Sequence, residues 1–303
     1  MSPRVLTGLD YAAADPPGGR GHTLDLYLPD GEGPWPLLIA CGGSAFLDDG
    51  GSYYAAELAP WFTEAGFAVA GVCTRSSGQA RFPAQVHDVK AAIRWLRAHA
   101  GEHGLDPDRF AIMGDSSGGW TATMAGLTGG GPELEGTVGE TGGSSRVQAV
   151  VDLYGPTDFL RMDAQMLPGA CASFNELMGL TACHDDPGSP ESRLMGFPIQ
   201  TRPDDVRAAN PCTYASPTAP PSLIAHGQLD ALVPHGQSAV LFEALAAAGA
   251  EATFFSVPEI GHDKGIVSPA LPEAVVRSTS SRGTERETRP TLETIERFLR
   301  SVL

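Results

Sequence analysis

The chain has 303 residues, 42% hydrophobic and 18% charged, a balance that suits a folded globular protein with one large α/β domain or two small ones. Its formal net charge of −16 argues against nucleic acid or an anionic membrane surface as partner, since both require clustered Lys and Arg. No apolar run reaches the length of a membrane span, and Met1 to Gly8 lack the apolar core of a secretion signal, so a cytoplasmic location is expected.

Residues 1–22 are rich in Gly, Pro and Ala and give little signal. Thr23 to Leu28 alternates as an antiparallel strand does and stops at Pro29. Leu37 to Cys41 is a continuous apolar run, the pattern of a strand buried on both faces. Ser52 is placed to cap a helix that reaches about Ala65 and ends at Gly66, with Pro60 implying a kink or a broken start. Phe67 to Cys73 reads as the next buried strand. Val86, Val89, Ile93 and Leu96 then share one face of a helix ending near Gly101 or Gly104.

Phe110 to Met113 is a further short apolar strand, followed at once by Gly114-Asp115-Ser116-Ser117-Gly118 and a small-residue helix from Trp120 to Leu127. Residues 129–146 form a Gly/Ser/Thr-rich loop, and Val147 to Tyr154 is another strand. Leu223 to Gly227 and Ala252 to Val257 are two more, separated by a helix over about 236–248. Thr291 caps a last helix whose Leu292, Ile295, Phe298, Leu299 and Val302 make a docking face. Strands alternating with helices predict a mostly parallel sheet covered on both sides. The alternation breaks over 156–215, which is rich in Met, Phe and Pro, and over 278–290, which is polar and expected to be mobile.

Strand, glycine-flanked serine and helix together form the context of a nucleophile elbow, and only Ser116 sits in the Gly-x-Ser-x-Gly frame. A serine hydroxyl is a weak nucleophile until a base takes its proton, and the base requires an orienting acid. Downstream, Asp230 follows one buried strand and His262 the next, at strand ends where a parallel sheet presents its ligand-binding loops. Asp158 and Asp263 remain as further candidate acids. An oxyanion formed on attack calls for backbone N–H donors. Ser117, directly after the nucleophile, supplies one, and the glycine-rich turn after Cys41 supplies Gly43 and Ser44.

Taken together, Cys41-Gly42-Gly43-Ser44, Arg81-Phe82-Pro83 with His87 to Leu96, Gly114 to Gly119, Ser189 to Ser192, His226 to Pro234 and Gly261-His262 resemble the α/β-hydrolase fold. The similarity is to the carboxylesterase families near hormone-sensitive lipase and the bacterial acetyl and feruloyl esterases. It spans about residues 23–265 and implies a single domain over 1–303 with a cap-like insertion at about 156–215. It also implies a serine hydrolase acting on a small-molecule carboxylic ester, without cofactor or metal, while the lack of a long uninterrupted apolar channel in the sequence favours short acyl groups. Amidases, formamidases and peptidases share the elbow and the His-Gly-x-x-Asp-x-x-Val-Pro segment, and a catalytically silent ligand-binding relative is the remaining alternative. The chain departs from the family's His-Gly-Gly-Gly turn, with Cys41 in place of the His and Ser44 in place of the third Gly.

The insertion carries Met162, Met166, Leu167, Phe174, Leu177, Met178, Met195 and Phe197, more apolar side chains than an exposed connection requires. Phe174, Met178 and, beside the nucleophile, Trp120 are therefore the candidate substrate-contacting residues, with packing of a second small core as the other reading. Cys171, Cys183 and His184 lack a second spaced pair for a metal site, and the two cysteines read better as a disulfide closing a loop. Arg75 with Asp88 reads as a structural ion pair, Trp95 as packing, and Cys41 as a buried thiol.

Overall fold

The computed structural model describes residues 4–280 and 287–303. The polar stretch 278–290 thus lies partly outside the described residues. Strands β1 (Arg4–Asp10), β2 (Thr23–Leu28), β3 (Trp35–Cys41), β4 (Ala68–Val72), β5 (Leu105–Asp115), β6 (Ala149–Leu153), β7 (Ser222–Gly227), β8 (Ala252–Val257) and β9 (Val275–Ser278) form one sheet in the order β1-β2-β4-β3-β5-β6-β7-β8-β9. Pairing is parallel from β4 through β8 and antiparallel at both margins.

Because β3 to β8 lie inside the sheet, alternate residues face opposite layers. Leu37, Ile39 and Cys41 join one apolar core with helix α2 (Ala84–Ala98). Leu38 and Ala40 join the other, with helix α1 (Tyr53–Glu64) and the C-terminal helix, Leu292–Val302. Burial on both faces is what makes these strands read as continuous apolar runs.

Two strands carried no such signal. β1 pairs only with β2 and is largely exposed, and β9 is a short margin strand with its Val275 exposed, so neither shows an apolar face. Two expectations about α1 are corrected. Ser52 does not cap the helix with its side chain, because its hydroxyl donates to Asp25 Oδ2 at 2.7 Å. Nor does Pro60 break α1, which runs from Tyr53 to Glu64 with Pro60 on its exposed face. Thr291 does cap its helix, its hydroxyl accepting from the Thr294 N–H.

Helix α3 (Ala100–His103) leads into β5, and α4 (Ser117–Leu127) leaves it. Between β6 and β7 the chain forms only short helices, among them α5 (Met162–Gln165), α6 (Ala170–Met178), α7 (Pro190–Met195) and α8 (Pro203–Val206). Helix α9 (Gly236–Ala247) connects β7 to β8, and α10 is the C-terminal helix Leu292–Val302. Among the described residues no helix is long and apolar enough to cross a membrane.

Buried polar groups brace this frame. Arg75 pairs with Asp88 through Nη2 to Oδ1 at 2.7 Å and Nε to Oδ2 at 3.0 Å, as the sequence suggested. His22 adds a third side-chain contact on Asp88, at 3.1 Å. Trp95 packs against the core and stacks on His99 with ring centroids 4.2 Å apart.

On β6, burial pushes the Asp152 carboxyl up to about 7, against a hydrogen bond from the Gly155 N–H that lowers it. The folded state therefore holds a proton that the unfolded chain releases near pH 4. This contribution to stability is complete below about pH 4 and is lost as pH rises through about 7. Asp152→Asn, which mimics the neutral acid, should remove that loss. Its melting temperature relative to wild type is expected to rise between about pH 5 and pH 8, by several degrees for one to two kcal/mol. An offset that stays constant across that range in thermal denaturation would refute the assignment.

Candidate active site

The close packing of two backbones positions the site. In parallel register Cys41 of β3 lies beside Gly114 of β5, so the turns that follow both strands meet. A Cβ on Gly114 would run into the Gly118 carbonyl, and one on Gly118 into the Cys41 carbonyl. Glycine at both positions lets α4 start hard against the end of β3. Ser116 is held at φ 52° and ψ −129°, a positive φ that typically costs about 1–3 kcal/mol for a residue with a side chain.

His262, in the loop after β8, places Nε2 at 2.9 Å from Ser116 Oγ and Nδ1 at 2.7 Å from Asp230 Oδ2. Asp230, in the loop after β7, is completely buried. Its Oδ1 accepts the Leu232 and Val233 N–H groups, both at 2.9 Å, and its Oδ2 also accepts His226 Nε2 at 3.1 Å. Burial alone would raise this carboxyl, but the hydrogen bonds and charge of His226 and His262 outweigh it and hold the group well below the usual carboxylate range. The ionised acid fixes the proton of His262 on Nδ1 and leaves the Nε2 lone pair facing the serine.

Asp158 and Asp263 are not bonded to His262. Asp158 donates its backbone N–H to Gln237, and the Asp263 side chain accepts the Gly265 N–H. Burial and the neighbouring Asp115 push the Cys41 thiol up to about 12, so it stays protonated.

The expected oxyanion donors are only partly free. The Gly43 N–H donates to Asp115 Oδ1 at 2.9 Å, and the Ser44 N–H donates to Ser117 Oγ at 2.8 Å. The Ser117 N–H lies in the first turn of α4, where no intrahelical partner exists.

Ser116 and His262 open into a cleft of about 80 Å³, walled by Phe46, Phe174, Leu177, Met178 and Val233 among others. Phe174 and Met178 thus lie where the sequence placed them. Trp120 does not. Its side chain is fully buried behind the wall, its indole N–H donating to the Ala209 carbonyl at 2.8 Å and its ring meeting Phe46 edge-on. The rest of the insertion divides between the two readings of it: Met162, Leu194, Met195 and Ile199 pack with Trp120 in a separate core, while α6 faces the cleft.

Cys171 and Cys183 are paired as a disulfide with Cα atoms 5.5 Å apart, which removes both as metal ligands. Sequence reasoning gave no such role to four side chains of the site. His226 braces Asp230, Tyr154 lays its ring edge on His262 at 4.7 Å, and Glu191 with His184 lines the cleft. The motif His226-Gly227-x-x-Asp230 was the available signal for the first, and the family-like segment Ser189 to Ser192 for Glu191; for Tyr154 and His184 there was none beyond polarity.

A mostly parallel sheet with a serine elbow after its central strand, and with loops carrying Asp230 and His262 at adjacent strand ends, defines an α/β-hydrolase fold. Residues 24–245 match the BD-FAE family, and the chain belongs to it. The chain is 32% identical over 223 residues to the probable carboxylic ester hydrolase LipM of Mycobacterium tuberculosis, covering 73% of itself and 48% of LipM. To esterase LipQ of the same organism it is 29% identical, covering 87% of itself and 59% of LipQ. It therefore spans about half the length of the curated relatives it matches. Among solved structures, a truncated carbohydrate esterase from gut microbiota superposes with a TM-score of 0.74 at 34% identity, over 86% of this chain and 90% of that one.

A Cβ on Gly43 would lie 2.6 Å from Ser116 Cβ and 2.6 Å from the Asp115 carbonyl oxygen. Gly43→Val should consequently displace Ser116 from His262 and slow its labelling by a fluorophosphonate by about 10²-fold or more. Labelling at the wild-type rate would show that the turn yields without disturbing the serine.

Proposed function

We propose that the protein is a serine carboxylesterase that hydrolyses short-acyl esters through an acyl-enzyme intermediate. The observation that carries this reading is the continuous hydrogen-bond chain from Ser116 through His262 to Asp230 at the mouth of an apolar cleft. The esterase names of the relatives support it. Ser116 Oγ attacks the ester carbonyl as His262 Nε2 takes its proton, and the resulting imidazolium is stabilised by ionised Asp230. His262 then returns the proton to the leaving alcohol, and water repeats the cycle on the acyl-serine. The Ser117 N–H is the primary oxyanion donor in this scheme. The Gly43 and Ser44 N–H groups join it by sharing protons now given to Asp115 and Ser117.

The cleft is small beside the roughly 300–1,000 Å³ of sites that bury drug-sized ligands, which favours short acyl groups. Residues 156–215 serve as its cap-like wall. The Cys171–Cys183 disulfide favours an oxidising compartment over the cytoplasm expected from the sequence.

The direct test is a panel of nitrophenyl esters of graded acyl length beside matched anilides. Short esters are expected to be cleaved fastest, and Ser116→Ala should abolish turnover and fluorophosphonate labelling together. Anilides cleaved as fast as esters, or turnover surviving in Ser116→Ala, would overturn the reading.

Ser117→Ala gives a less obvious expectation. Removing its hydroxyl frees the Ser44 N–H for the oxyanion, so kcat on a short ester should be retained or increased. A fall in kcat of about 10-fold or more, the scale of losing an oxyanion donor, would show instead that the Ser117 hydroxyl is required to hold the loop in place.

A further inference from the structure

The cleft wall holds a polar pair that the reaction scheme does not use. His184 and Glu191 are 1% and 3% exposed, and both line the cleft beside Ser116 and His262. His184 Nε2 lies 3.1 Å from the Leu232 carbonyl, and Nδ1 lies 3.1 Å from Glu191 Oε2. A carbonyl can only accept, so Nε2 carries a proton; an ionised Glu191 also only accepts, so Nδ1 carries one too. Burial disfavours the charged ring, but the adjacent Glu191 charge and hydrogen bond outweigh it and raise His184 above its ordinary value. Phe174 covers the imidazole with ring centroids 4.2 Å apart, and Asp163 accepts the His184 backbone N–H at 2.9 Å.

Both His184 nitrogens are thus engaged with protein acceptors, and the ring has no proton to offer the cleft. Glu191 is different. One of its carboxylate oxygens takes the imidazole, and among the described residues the other has no hydrogen-bond partner. That oxygen is not one of the buried atoms left without a partner, so it is open to solvent in the cleft and free to accept from a ligand, whereas an alkyl-lined wall would serve a purely alkyl substrate better. The imidazolium balances the carboxylate, so the pair as a whole is neutral and suits a neutral donor better than a cation.

We propose that Glu191, held in place by His184, is a hydrogen-bond acceptor of the substrate cleft that selects esters bearing a free hydroxyl near the ester group over their alkyl counterparts. The proposal rests on the esterase reading of Ser116. A hydroxyl on either the alcohol or the acyl part could make the contact, since the cleft is lined around the reacting serine.

The experiment compares kcat/KM of the whole protein on two matched pairs: glyceryl monoacetate against propyl acetate, and ethyl 3-hydroxybutyrate against ethyl butyrate. In at least one pair the hydroxylated ester is expected to be favoured by about 10-fold or more, because a site that hydrogen-bonds a hydroxyl rejects the analogue lacking it. The responding pair identifies the side of the ester that faces Glu191. Glu191→Met should bring that ratio close to one. Glu191→Gln keeps the volume and a neutral acceptor, and should give an intermediate ratio even if the Met variant fails to fold. A wild-type ratio near one in both pairs would overturn the proposal while leaving the esterase reading standing. So would variants that slow both members of a pair equally, the mark of a merely structural role. Absence of turnover on all four esters would overturn the esterase reading, and the subsite with it.

Discussion

The site depends on one steric constraint, the approach of three backbone segments to a separation that no side chain tolerates. Gly118 lies against the Cys41 carbonyl, Gly114 against the Gly118 carbonyl, and Gly43 against Ser116. Side chains at these points would push α4 away from β3 and turn the serine out of reach of His262. The same contact shows what residue 41 contributes to the elbow. At this position it is the carbonyl of residue 41 that touches the elbow, while the thiol, buried and protonated, only packs.

A second layer of organisation is electrostatic. Asp230 takes two backbone N–H groups on one oxygen and two imidazoles on the other, so a buried carboxylate is fully solvated by the protein itself. His226 is locked in turn. Its Nε2–H also reaches the Val233 carbonyl at 3.0 Å, and its Nδ1 accepts from the Ser238 hydroxyl at 2.8 Å. Facing two acceptors, Nε2 carries a proton and donates to Asp230, so His226 holds the acid in place beside His262. Asp158 and Asp263 resemble Asp230 in a sequence, but their surroundings spend them on loop contacts.

How much of this was readable from the chain follows from which contacts are local. β3 to β8 were legible because burial on both faces leaves uninterrupted apolar runs, whereas β1 and β9 have no buried face to mark them. Ser116 was legible because its turn demands glycines at fixed spacing, and Asp230 and His262 because parallel strands deliver their loops to one edge. What escaped were choices between partners distant in sequence. Ser52 bonds Asp25 instead of its own helix, the Gly43 N–H turns to Asp115 72 residues away, and Trp120 rotates behind the wall to reach Ala209. In each case the residue type permits several partners, and only tertiary packing selects one.

The wall of the cleft and Asp230 are mechanically linked through residues 156–215. His184 donates to the Leu232 carbonyl, while the N–H of the same Leu232 donates to Asp230 Oδ1. One peptide segment is thus gripped from both sides, by the insertion and by the carboxylate. Further along, the Gln237 side chain on α9 accepts the Thr157 and Asp158 N–H groups, each at 2.7 Å, tying the start of the insertion to the helix that follows the same loop. The disulfide between Cys171 and Cys183 closes α6 onto the His184 turn, so Phe174 and Met178 are carried by a segment anchored at both ends. A cleft built this way is held by these ties as well as by the separate apolar core behind its wall. Among the described residues of the insertion that line the cleft, Glu191 has a carboxylate oxygen without a hydrogen-bond partner.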